Sequence, residues 1–131
     1  MAARMKILVV DDDGSMRQAI TRLLKAAGYE NATFPTAEAC LASGATSTAD
    51  CLISDLHLPA MSGLELLAEL RRRDCDIPVI LMTAFDEPGL RARALECGAA
   101  VYLAKPFLGT DLLESIESLG DAGTRADEIT P

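Results

Sequence analysis

Short, almost wholly apolar runs that stop abruptly on a polar residue recur along this chain, with helical patterns between them. Lys6-Ile7-Leu8-Val9-Val10 stops at Asp11-Asp12-Asp13, Cys51-Leu52-Ile53-Ser54 at Asp55, and Pro78-Val79-Ile80-Leu81-Met82 at Thr83. Runs of four or five residues without polar alternation fit strands covered on both faces, as in a parallel sheet. Weaker strands are expected near Tyr29 to Phe34 and at Val101-Tyr102-Leu103, the latter ending near Lys105-Pro106.

The intervening segments read as helices. Ser15 to Gln18 fits a capping box, S-x-x-Q, followed by Met16, Ile20, Leu23, Leu24 and Ala27 at helical spacing, with Gly28 as the stop. Pro35-Thr36 opens a short second helix, and Ser43 to Thr48 is a loop. Gly63 precedes a third helix carrying Leu64, Leu67 and Leu70 on one face. A fourth is expected over roughly Glu87 to Cys97 and a fifth over Thr110 to Leu119. Five alternations of strand and helix predict an α/β domain, a parallel sheet with helices on both faces. The 131 residues suit one domain, placed at 5–119, with the polar, aperiodic stretch 120–131 as a flexible tail or the start of a linker.

Composition excludes several functions. A formal charge of −8 argues against direct nucleic-acid binding by this segment, because polyanion affinity comes from Lys and Arg. Four cysteines without a C-x-x-C pair and a lone His57 argue against a zinc site. The apolar runs are too short to span a bilayer and no signal-peptide pattern opens the chain, so a cytoplasmic protein with reduced thiols is expected.

The polar residues that end the strands carry the chemistry. In an open α/β sheet the ligand crevice lies beyond the carboxyl ends of the strands, so Asp11, Asp12, Asp55, Thr83 and Lys105 are expected to converge there. Clustered carboxylates repel one another and suit a hard cation such as Mg²⁺. A lysine and a hydroxyl beside them meet the oxygens of a phosphoryl group, and a carboxylate can serve as the nucleophile. Asp13 reads as a helix cap rather than a ligand.

In these segments the chain resembles the receiver domain of two-component response regulators. The resemblance rests on V-V-D-D-D at Val9 to Asp13, D-L-H-L-P-A-M-S-G at Asp55 to Gly63, L-M-T-A at Leu81 to Ala84, C-G-A at Cys97 to Ala99 and Y-L-A-K-P-F at Tyr102 to Phe107. It implies a doubly wound, flavodoxin-like five-stranded sheet in the order 2-1-3-4-5 with five helices. It also implies that Asp55 accepts a phosphoryl group from a sensor histidine kinase or a histidine phosphotransfer protein. Asp11, Asp12, Asp55 and the backbone carbonyl of His57 would hold Mg²⁺. Lys105 would contact the phosphoryl group, and Thr83 would shift toward it with Tyr102 following. The Lys105-Pro106 bond would be cis. Such a domain is a phosphoacceptor rather than a conventional enzyme. Its output face would be the fourth helix, fifth strand and fifth helix, and the His57 side chain would face the attacking water.

Arg91 and Arg93 on the fourth helix and Asp111, Glu114 and Glu117 on the fifth carry opposite charges that would suit a homodimer. Arg71-Arg72-Arg73 reads as a solvated last turn of the third helix. Met16 and Ile20 are candidates for an apolar contact with the phosphodonor. A rival reading takes Val9 to Ser15 as the D-x-D-G-[TS] motif of haloacid-dehalogenase-like phosphohydrolases, with Asp11 as nucleophile and Asp13 as acid/base. That reading leaves Asp55 and the loop after it without a role.

Overall fold

Each of the five expected strands forms in the computed structural model, which describes residues 5–129, with side chains described as far as residue 119. The strands are β1 (Lys6–Val10), β2 (Glu30–Phe34), β3 (Cys51–Asp55), β4 (Val79–Thr83) and β5 (Val101–Ala104). All pairings are parallel and the order is β2-β1-β3-β4-β5, as the resemblance implies. The helices are α1 (Gly14–Ala26), α2 (Ala37–Ser43), α3 (Gly63–Arg72), α4 (Leu90–Glu96) and α5 (Gly109–Ile129).

The two-residue repeat of the strands sorts the core into two layers. Leu8, Val10, Leu52, Leu81 and Tyr102 face one side, where Cys40 of α2, Leu66, Leu67 and Leu70 of α3 and Ala94 of α4 cover them. Ile7, Val9, Ile53, Ile80 and Met82 face the other, against Ile20 and Leu24 of α1 and Leu112 and Ile116 of α5. Right-handed crossovers require this division once the chain runs first to one side of β1 and then to the other. Strand order therefore reverses between β1 and β3, which places the crevice at their carboxyl ends.

Local chemistry departs from the sequence reading in several places. Asp13 is the N-cap of α1, in line with its reading as a cap, so Ser15 does not open the helix with a capping box: the Asp13 side chain accepts the N–H groups of Ser15 at 2.9 Å and Met16 at 3.4 Å. An aspartate two residues earlier satisfies the same orphan donors, so the helix begins sooner. The capping box lies instead at α3, where Glu65 N–H donates to Ser62 Oγ at 3.1 Å and Ser62 N–H to Glu65 Oε1 at 2.8 Å. α4 begins at Leu90, three residues later than expected, because Glu87 precedes a proline and Gly89 is left-handed at φ 84°. A 3₁₀ turn occupies Ala45–Ser47 within the expected loop.

Arg71 is half-buried rather than solvated. It donates to the carbonyls of Cys75 (2.9 Å), Ile77 (3.0 Å) and Gly98 (3.3 Å), whereas exposed Arg72 and Arg73 pair with Glu69. The backbone of α5 continues past Leu119 to Ile129. The side chains of the tail expected at 120–131, and the whole of residues 130 and 131, lie outside the described residues. All four cysteines are free, and burial pushes the Cys40 thiol up to about 11 and, with Asp50, the Cys51 thiol up to about 12. No helix among the described residues is long and apolar enough to cross a membrane.

Candidate functional site

Register brings the strand ends together. Val10 pairs with Ser54, Asp55 with Met82, and Thr83 with Ala104, so Asp11, Asp55, Thr83 and Lys105 leave the sheet along one edge. Asp55 is the last residue of β3 and is 8% exposed. Its Oδ2 accepts from the Lys105 ammonium at 2.9 Å, and its Oδ1 accepts the His57 N–H at 2.8 Å. Lys105 also reaches Asp11 Oδ2 at 3.5 Å. Asp11 is wholly buried, its Oδ1 accepts the Asp13 N–H at 2.9 Å, and its carbonyl accepts from Arg17 at 2.6 Å. Arg17 of α1 thereby ties that helix to the loop that carries the acids. The Lys105-Pro106 bond is cis.

Asp11, Asp12 and Asp55 each present a carboxylate oxygen within 4.8 Å of the others. Two of these acids are buried and Asp12 is exposed, so the cluster opens to solvent on one side. Three hard, anionic oxygen donors converging at an open rim fit a Mg²⁺ that keeps part of its water shell. Burial, the dominant influence, and the Asp55 charge raise the Asp11 carboxyl above its ordinary value against the Asp13 N–H and Lys105. Burial alone would lower the Lys105 ammonium, but the bond to Asp55 and the charges of Asp11 and Asp55 together raise it. The lysine therefore stays charged between two carboxylates.

Thr83 ends β4, is fully buried, and its Oγ1 accepts the Phe85 N–H at 2.9 Å, which leaves the hydroxyl proton free to donate elsewhere. His57 is exposed and its ring meets Phe85 edge-on, centroids 5.3 Å apart. Asp13, the acid/base of the phosphohydrolase reading, is engaged in capping α1. Tyr102 is 2% exposed and donates to Asp86 Oδ1 at 2.6 Å. Neither Asp86 nor Phe85 stood out in the sequence, because both lie in the aperiodic stretch after β4.

A parallel α/β sheet with an acidic cluster and a lysine at its switch point defines a class of phosphate-handling, cation-dependent domains. Within that class this chain belongs to the response regulator receiver domain family, whose model matches residues 7–117. It is 36% identical over 110 residues to nodulation protein W of Bradyrhizobium diazoefficiens, covering 84% of this chain and 48% of that protein. It is 42% identical over 101 residues to the DNA-binding transcriptional regulator NtrC of Salmonella typhimurium, covering 77% of this chain and 22% of that protein. Among solved structures, chemotaxis protein CheY4 of Vibrio cholerae superposes with a TM-score of 0.81 at 31% identity, covering 89% of this chain and 99% of that one. FixJ-N superposes with a TM-score of 0.83 at 30% identity, covering 92% and 96%. The chain thus spans half or less of these two curated regulators but nearly all of the isolated receiver structures. It is a signalling domain of two-component systems, whose members act with histidine kinases and bind Mg²⁺ at an acidic pocket.

Proposed function

We propose that residues 5–119 act as a phosphoacceptor unit in which Asp55 takes a phosphoryl group from the phosphohistidine of a sensor kinase or histidine phosphotransfer protein. The observation that carries this reading is the Lys105 ammonium at 2.9 Å from Asp55 Oδ2, with the acids of the β1 end beside it. A carboxylate held against a fixed cation is positioned for in-line attack, and the developing charge meets preorganised groups rather than mobile water. An Asp55 oxygen forms the new bond to phosphorus, the phosphorus–nitrogen bond breaks, and the imidazole leaves. Water later attacks phosphorus and releases phosphate, restoring the carboxylate.

Asp11, Asp12, Asp55 and the His57 carbonyl are the ligands assigned to Mg²⁺. When bound, the cation offsets carboxylate repulsion and neutralises phosphoryl oxygens. Lys105 Nζ orients one phosphoryl oxygen, and the Thr83 hydroxyl donates to another. The face of α4, β5 and α5 then passes the change to an effector domain, a partner protein or a second copy of the chain.

Incubation with acetyl phosphate and Mg²⁺, followed by intact-mass analysis and peptide mapping, tests the reading. A single phosphoryl adduct is expected on wild type and none on Asp55→Ala. An adduct that survives in Asp55→Ala, or turnover of p-nitrophenyl phosphate that depends on Asp11 alone, overturns it in favour of the phosphohydrolase.

A further inference from the structure

Tyr102 gathers partners from two segments outside its own strand. Its hydroxyl donates to Asp86 Oδ1 at 2.6 Å, and the guanidinium of Arg91 lies 5.3 Å from its ring centroid. Asp86 stands three residues beyond Thr83 in the segment joining β4 to α4, and Arg91 lies in the first turn of α4. Thr83 Oγ1 in turn accepts the N–H of Phe85, the residue next to Asp86. A continuous path therefore runs from Thr83 through the Phe85 N–H, one peptide unit and the Asp86 carboxylate to the Tyr102 phenol. The ring contact with Arg91 fixes the face of the ring but gives the hydroxyl no acceptor. Among the described residues Asp86 alone supplies that acceptor, and a carboxylate acceptor makes the bond charge-assisted.

We propose that Asp86 is a positioning residue that couples the Asp55 site to the α4–β5 face by holding the Tyr102 phenol inward. This rests on the reading of Asp55 as phosphoacceptor. A displacement of Thr83 pulls the Phe85–Asp86 segment, which carries the phenol; the ring then carries Arg91 and the start of α4. Burial, and after it the bond and charge of Asp86, push the Tyr102 phenol up to about 12, in keeping with a neutral donor facing a carboxylate.

The test uses the full chain with beryllium fluoride and Mg²⁺ as the probe, reading amide hydrogen exchange across residues 90–104 together with acetyl phosphate labelling. Wild type is expected to gain protection in that segment when the probe is added. Loss of one charge-assisted hydrogen bond shifts such an equilibrium by about tenfold. Asp86→Ala should therefore weaken the protection by about that factor while the label on Asp55 is retained. Asp86→Asn, which keeps an acceptor oxygen, should restore most of the response and also controls for folding. In a Tyr102→Phe background Asp86→Ala should change nothing further, because the bond it removes is already gone. A full response in Asp86→Ala, or an effect that persists in Tyr102→Phe, overturns the coupling while leaving the phosphoacceptor intact. Absence of label and response in wild type overturns the phosphoacceptor reading, and the coupling with it.

Discussion

Asp11 shows how an acidic cluster is maintained against the stability of the fold that carries it. Its carboxyl is wholly buried and its pKa is raised, so at neutral pH its charge is less favourable in the folded chain than in the unfolded one. Asp11→Asn keeps an oxygen for the Asp13 N–H and removes the charge. It is expected to stabilise the chain in metal-free buffer by about 1 kcal/mol, raising Tm by a few degrees, and to abolish the Mg²⁺-induced rise expected of wild type. The sign follows from linkage: a raised carboxyl favours the folded state below the unfolded value and loses that contribution as pH rises through the folded value. The advantage of Asp11→Asn should therefore shrink in acid, as thermal melts at a series of pH values would record. Tyr102 gives a second linkage at the opposite end of the scale. Its phenol, pushed up to about 12, contributes stability that is fully present below its ordinary value of 10.0 and is lost as pH rises through 12. Urea unfolding should show the difference between wild type and Tyr102→Phe shrinking over that window.

At the level of elements, the close approach of α3 to the end of β3 sets the geometry around Asp55. A Cβ on Gly63 would stand 2.5 Å from the Asp55 carbonyl oxygen and 2.9 Å from Leu56 Cα, and both are backbone atoms. Gly63→Ala must move the helix or the strand end, so a loss of roughly 1–3 kcal/mol in urea unfolding is expected, together with slower labelling of Asp55. An unchanged midpoint would mean that the helix start yields freely. The same elements show what could be read from the sequence. Strands were legible because burial on both faces leaves unbroken apolar runs such as Val79 to Met82, and the site was legible because its residues end those runs. Helix starts were not: Asp13 and Ser15 both have capping side chains, and only the backbone path decides between them. The start of α4 was hidden because helical spacing continues through Glu87 while Pro88 and Gly89 interrupt the backbone. Asp86 carried no signal, because its partner Tyr102 lies 16 residues away and only the fold brings them together.

The whole molecule presents an asymmetric surface that bears on how its output is transmitted. A net charge of −8 keeps copies apart at low ionic strength, so association needs a local complement strong enough to offset it. Arg93 on α4 and Asp111, Glu114 and Glu117 on α5 supply opposite charges, and Leu95 of α4 is an apolar side chain 42% exposed. Arg91 is committed to the Tyr102 ring, so its availability to a second copy changes with that ring. A symmetric pair would use the same patch twice, with basic α4 meeting acidic α5 in both directions. Beryllium fluoride with Mg²⁺ is therefore expected to move the chain from monomer toward dimer in light scattering. Screening shortens the reach of exposed charges to about 3 Å at 1 M salt and so removes the net repulsion together with the attraction of the pairs; a dimer held chiefly by the pairs should weaken as salt is added. Arg93→Glu should weaken it further, and a charge swap that also converts Glu114→Arg should restore it in part. A mass that stays monomeric at high protein concentration, with Asp55 fully labelled, would instead assign this face to a different partner.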